Sequence, residues 1–132
     1  MATAEERIDE HMKERLHDLE ALWRLYQEGD QEHEELGYFH EYGLCFDYVP
    51  QEGKQPGFFR YQLSTGGPGD EFRFYGGPDD EEPVIEYVFL DWFDGSSRAL
   101  TGDDYALLLE IWEFFKEVGS VELEYINRFK EM

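Results

Sequence analysis

Basic residues are scarce in this chain. Its 132 residues hold 11 Lys plus Arg against 32 Asp plus Glu, a formal net charge of −21. A surface of that sign repels phosphate, which argues against direct binding to nucleic acid or to anionic lipid. Cysteine is nearly absent. Cys45 alone excludes an internal disulfide and any multi-thiolate metal site, and it fits a reducing compartment. No stretch approaches the roughly 20 apolar residues that a membrane span needs. Met1 to Glu10 carries four acids and no apolar run, unlike a secretory signal. The expected location is therefore cytoplasmic, and the natural partner is the basic surface of another protein.

Aromatic residues are not lacking. Acidic chains that stay disordered are poor in them, because they cannot bury enough surface to offset the entropy of ordering. With 11 Phe, 9 Tyr and 3 Trp, this chain should fold, and its length suits a single domain over residues 1–132.

The apolar residues Ile8, Met12, Leu16, Leu19, Trp23 and Tyr26 recur at steps of three and four, which predicts a helix from Ala4 to Gln27, ended by Gly29 and Asp30. The period then shortens. Tyr42, Leu44, Phe46 and Tyr48 alternate within Tyr38 to Val49, and Phe58 to Leu63, Glu71 to Tyr75 and Val84 to Phe93 follow. Gly- and Pro-rich turns between them predict a four-stranded antiparallel meander. Thr101 with Asp104 resembles a capping box ahead of a helix through Tyr105, Leu108, Leu109, Trp112 and Phe115. Ser120 is placed to cap a last helix through Val121, Tyr125, Ile126 and Phe129. The expected fold class is α+β: an N-terminal helix, the meander, and two C-terminal helices packed on one sheet face. Gly66-Gly67-Pro68-Gly69-Asp70 and Gly76-Gly77-Pro78-Asp79-Asp80 echo each other. They read as equivalent turns, because a phosphate cradle would add a Lys and a following helix.

Catalytic and metal motifs are weak. Glu14 and His17 form half of a di-iron ligand set with no second half, and read as a solvated helix face. His11, His33 and His40 lack ligand spacing and read as surface histidines. Cys45, in a strand, reads as a small buried hydrophobe rather than a nucleophile. Ser96 and Ser97 follow Asp94-Gly95 in an expected turn. No metal or cofactor is expected, and the chain does not read as an enzyme, although carboxylate pairs leave that class open.

Charge placement is the informative feature. Residues 1–35 carry 12 acids and 4 bases, 36–69 carry 3 and 2, 70–98 carry 9 and 2, and 99–132 carry 8 and 3. Glu6, Glu10, Glu14 and Asp18 stand at successive i,i+4 positions, a like-charged stripe that Arg7, Lys13 and Arg15 dilute, while Glu20 and Arg24 form a supporting pair. Asp103, Glu110, Glu113 and Glu117 line the later helix, and Asp79, Asp80, Glu81 and Glu82 fill one turn. These twelve acids are the expected partner-binding residues, with residues 36 to 69 the nearly neutral part. Carboxylates at helical spacing approximate the phosphates of one nucleic-acid strand, so a rigid acidic surface could compete for a basic groove. Solubility or salt adaptation is the other reading. A small domain needs a net charge of only about 2–8 for solubility, and Glu outnumbers Asp by 21 to 11.

The segments EYGLCFDYVP, FFRYQLSTGGPGDEFRFY and FLDWFDGSSRALTGDD resemble uncharacterised small acidic proteins of bacterial plasmids and other mobile elements, a likeness that brings no activity with it. In composition and in its helix, sheet, helices order the chain is also similar to acidic anti-CRISPR and antirestriction proteins. That likeness implies a DNA mimic inhibiting a basic DNA- or RNA-binding protein such as a bacterial defence nuclease. The alternative expectation is an immunity-type or accessory subunit that neutralises one basic cognate protein.

Overall fold

The computed structural model describes residues 2–130. Its elements are α1 (Ala4–Gln27), α2 (Phe39–Tyr42), β1 (Cys45–Val49), β2 (Phe58–Ser64), β3 (Gly69–Tyr75), β4 (Val84–Asp91), β5 (Asp94–Ala99), α3 (Gly102–Glu117) and α4 (Ser120–Lys130). The strands form one antiparallel sheet in sequential order. The α+β class and the meander stand, with five strands in place of four.

The extra strand lies where a turn is expected. Asp91 pairs with Asp94, so Trp92 and Phe93 are the hairpin loop, and Asp94-Gly95-Ser96-Ser97 opens β5. Gly and Ser usually punctuate strands. Here pairing with β4 and the hold of Arg98 on α1 outweigh that preference, because strand propensity is mostly context. The first strand also starts later than its alternation suggests. Residues 39–42 make one helical turn that buries Phe39, and the chain becomes extended only at Cys45.

Capping differs between the helices. The Thr3 hydroxyl accepts from the Glu6 N–H at 3.2 Å and starts α1 as a helix cap does. Thr101 stands at the α3 cap position, but its side chain makes no capping hydrogen bond. Ser120 is the first residue of α4 rather than its cap. In α4, Val121 is buried and Ile126 is exposed; the Phe129 side chain lies outside the described residues.

One sheet face carries the core. Phe46, Tyr48, Phe59, Tyr61, Phe72, Phe74, Ile85, Tyr87 and Phe89 occupy alternate positions in register. Helices reach this face: Trp112 of α3 packs on Phe59 and Phe74, Phe115 on Phe46, Tyr125 of α4 on Tyr48, and His11 of α1 on Phe89. The α1 residues Ile8, Leu16, Leu19, Leu22 and Trp23 are buried, each such side chain contributing about 1.5–3 kcal/mol. The opposite face is open and internally compensated. Arg60 donates to both carboxylate oxygens of Asp47 (3.0 and 2.7 Å), Arg73 to Glu71 (2.7 Å) and Tyr75 to Glu86 (2.9 Å).

Candidate interaction surface

The stripe on α1 is sharper in three dimensions than in sequence. Arg7 turns to Asp91 of β4, and Arg15 turns to Asp70 of β3. Two of the three bases expected to dilute the stripe are thus spent on the sheet, and Lys13 alone remains beside it. Glu6, Glu10 and Glu14 are exposed, and among the described residues none of them forms an ion pair. The fourth member differs. Asp18 is half-buried and accepts the Tyr42 hydroxyl hydrogen at 2.8 Å.

The acidic turn and α3 form one unit. The backbone carbonyl of Asp80 accepts from Trp112 Nε1 (3.0 Å) and Lys116 Nζ (3.3 Å), and the Pro83 carbonyl accepts from the Tyr105 hydroxyl (2.7 Å). The Asp80 carboxylate folds back on the Gly77 N–H at 2.6 Å, so it holds the turn. Asp79, Glu81 and Glu82 stay exposed beside α3. Helical spacing puts Asp103, Glu110, Glu113 and Glu117 on one ridge; Glu113 is half-buried and the other three are exposed. Asp103 and Glu110 line a groove of about 510 Å³ against α1, together with Asp104, Glu20 and Arg24. Glu20 and Asp104 therefore link the α1 and α3 acids. Sequence pairing hid Glu20, whose i,i+4 partner Arg24 lies 3.4 Å away on the exposed surface.

A polar cluster ties α1, α2 and the sheet. Asp70, 4% exposed, receives both arms of Arg15 (2.7 and 3.0 Å), the Tyr87 hydroxyl (2.6 Å) and the Ser64 hydroxyl. Arg15 also donates to Tyr42 at 3.0 Å. Burial alone would lower the Arg15 pKa, but its bonds to Asp70 and Tyr42 outweigh that and raise it. Burial likewise raises the Tyr87 phenol, with Asp70 adding to the effect, and pushes Tyr42 up to about 12. With four donors on its two oxygens, Asp70 is a structural tie rather than a general base.

Other single residues depart from expectation. Cys45 is exposed on the open sheet face, not buried, and its thiol donates to Gln62 at 3.4 Å. Partial desolvation and then the Asp47 charge push that thiol up, away from nucleophilic use. His11 stacks on Phe89 with ring centroids 4.5 Å apart, so it is packed rather than a plain surface histidine. His33 Nδ1 accepts from the Glu35 and Leu36 N–H groups, both at 3.1 Å, and holds a loop. His40 stacks on Tyr38 near Asp30.

One surface feature was legible only as composition. Trp92 is 82% exposed and Phe93 fully so, both at the β4–β5 tip, and neither belongs to the expected binding set. The tip is tied to the start of α1. Arg7 pairs with Asp91, the Asp94 carboxylate accepts the Ala4 N–H at 2.7 Å, and Arg98 of β5 bridges Glu5 (2.8 Å) and Asp9 (3.0 Å). Hydrogen bonds from Arg98 and Ser96 hold the Glu5 carboxyl below the ordinary carboxylate range.

Among the described residues, no helix is long and apolar enough to cross a membrane. Compared with protein-family models, curated proteins and solved structures, the chain gives no match in any of the three.

Proposed function

We propose that this protein is an acidic inhibitor that binds the basic nucleic-acid groove of a DNA- or RNA-handling protein, such as a bacterial defence nuclease, by presenting carboxylates where phosphates would lie. One observation carries the reading: Glu6, Glu10 and Glu14 stand exposed and unpaired on a helix whose neighbouring arginines are drawn to the sheet. Four residues of helix rise by about 6 Å, close to the phosphate repeat along a strand. A like-charged stripe of this kind costs helix stability, so its presence beside a single Lys13 fits a role outside folding. The α1–α3 groove and the exposed turn acids beside α3 add further acidic surface. The turn lies at the Tyr75–Val84 end of the sheet, and α1 is tied to Asp70 and Asp91 at the other.

Reversing Glu10 and Glu14 to Lys tests this. Binding to a basic partner captured from host lysate should fall by at least about tenfold at low salt. Thermal stability should hold or rise, because like-charge neighbours are relieved. Unchanged binding would contradict the reading.

A second reading, an immunity-type or accessory subunit neutralising one basic cognate protein, draws on the exposed aromatic tip, which charge mimicry alone does not require. Excess unrelated duplex DNA separates the two. It should displace a mimic and leave in place a subunit seated away from the nucleic-acid groove.

A further inference from the structure

We propose that Trp92 and Phe93 form an arginine-accepting anchor by which the acidic surface docks onto an arginine-rich face of a basic protein, an inference that rests on the acidic-surface reading above. The protein's other two tryptophans, Trp23 and Trp112, are buried, whereas Trp92 is 82% exposed and Phe93 wholly so. Folding does not call for these residues here. Trp92 has φ of 56°, a left-handed conformation in a two-residue hairpin loop where Gly, Asn or Asp is usual and a bulky side chain is an outlier. Residues kept against backbone preference cluster at binding sites.

The tip is also preorganised. Asp91 and Asp94, on either side of the loop, are both fastened to the first turns of α1. The indole lies over Gly67, where an added Cβ would sit 2.6 Å from Trp92 Nε1. This explains part of the Gly-Gly-Pro echo: Gly67 seats an aromatic ring, whereas a Cβ on its counterpart Gly77 would meet nothing within 4 Å. A rigid exposed aromatic is what interface anchors use, because little entropy is lost on docking.

Charge selects the occupant. A second copy of the chain would bring another −21 against the first. Five carboxylates, Glu5, Glu6, Asp9, Asp91 and Asp94, lie on the elements that meet at the tip against two bases, Arg7 and Arg98. Arg98 holds Glu5 and Asp9, and Arg7 holds Asp91, so the tip stays net negative with Glu6 outside any ion pair among the described residues. A guanidinium can stack on the indole while its fork pairs with a carboxylate, a combination that the compact ammonium of lysine matches poorly.

The test titrates octa-arginine and octa-lysine peptides into native and variant protein by isothermal titration calorimetry, which needs no tip probe, and follows the Trp92 N–H resonance in the native protein. A Trp92→Gly, Phe93→Ser variant keeps the fold, since glycine accepts the left-handed loop and neither side chain is in the core. The octa-arginine dissociation constant should rise about tenfold in this variant, and that for octa-lysine by less than about twofold. Equal octa-arginine binding by the variant and the native protein would overturn the anchor, as would a native dimer in sedimentation that the variant disperses. Glu10→Lys with Glu14→Lys reads the other level. Loss of both peptides there, with the tip variant unaffected, leaves the acidic surface and removes the anchor. Loss of octa-arginine only in the tip variant keeps the anchor and removes the stripe.

Discussion

Asp70 shows at the residue scale how a charge can be buried without being a site. Its four donors come from α1, β2 and β4, so removing it strands the Arg15 guanidinium. Asp70→Ala should cost about 3 kcal/mol or more in urea denaturation. The buried tryptophans make a matched pair. Trp112 Nε1 donates to Asp80, whereas Trp23 Nε1 has no partner among the described residues. Trp112→Phe should therefore destabilise by about 1 kcal/mol more than Trp23→Phe, and equal losses by the same denaturation assay would refute the contrast. Tyr42 contributes to an alkaline limit, with Tyr61 and Tyr87 raised in the same direction by burial. Burial first pushes its phenol up to about 12, with the bond to Asp18 helping and the hydrogen bond from Arg15 opposing. Folding thus favours the neutral form. That contribution is whole below the ordinary tyrosine value of about 10 and is lost as pH rises through about 12. Stability measured from pH 9 to 12 should fall over that upper window, and Tyr42→Phe should remove its share of the fall, with the part due to buried Tyr61 and Tyr87 remaining.

At the scale of elements, Gly43 marks the junction that sequence reading misplaced. A Cβ there would lie 2.2 Å from a ring carbon of buried Tyr61, so Gly43→Ala should cost about 1–3 kcal/mol by thermal or urea unfolding. Helix α1 was legible, because its apolar steps agree with its tertiary burial, while its Thr3 cap shows only in three dimensions. Helix α2 and β5 were not legible. A four-residue helix is too short to show a period, and Asp-Gly-Ser-Ser carries turn chemistry that β4 overrides through pairing. The candidate surface was legible in part. Spacing located Glu6, Glu10 and Glu14, while the diversion of Arg7 and Arg15 to the sheet needs three dimensions. Nothing periodic marks Trp92 and Phe93 as exposed, since a strand ending in Leu90-Asp91-Trp92-Phe93 reads as continuing apolar sequence.

The whole molecule segregates its charge by layer. The open sheet face pairs Asp47 with Arg60 and Glu71 with Arg73, while the helices and the acidic turn expose more carboxylates than Arg24 and Arg98 pair. Self-repulsion at −21 opposes compactness, so the melting temperature should rise as salt increases from about 10 mM to 0.5 M. Partner binding should weaken over the same range, giving opposite salt responses for folding and docking. The central claim is that the exposed carboxylates of α1 stand in for phosphates. The most direct measurement captures a basic partner from host lysate at low salt on native protein and on the Glu10→Lys, Glu14→Lys variant, then challenges the complex with unrelated duplex DNA. Capture by the native protein alone, released by DNA, is the predicted result. Equal capture by both proteins, unmoved by DNA, would contradict the account.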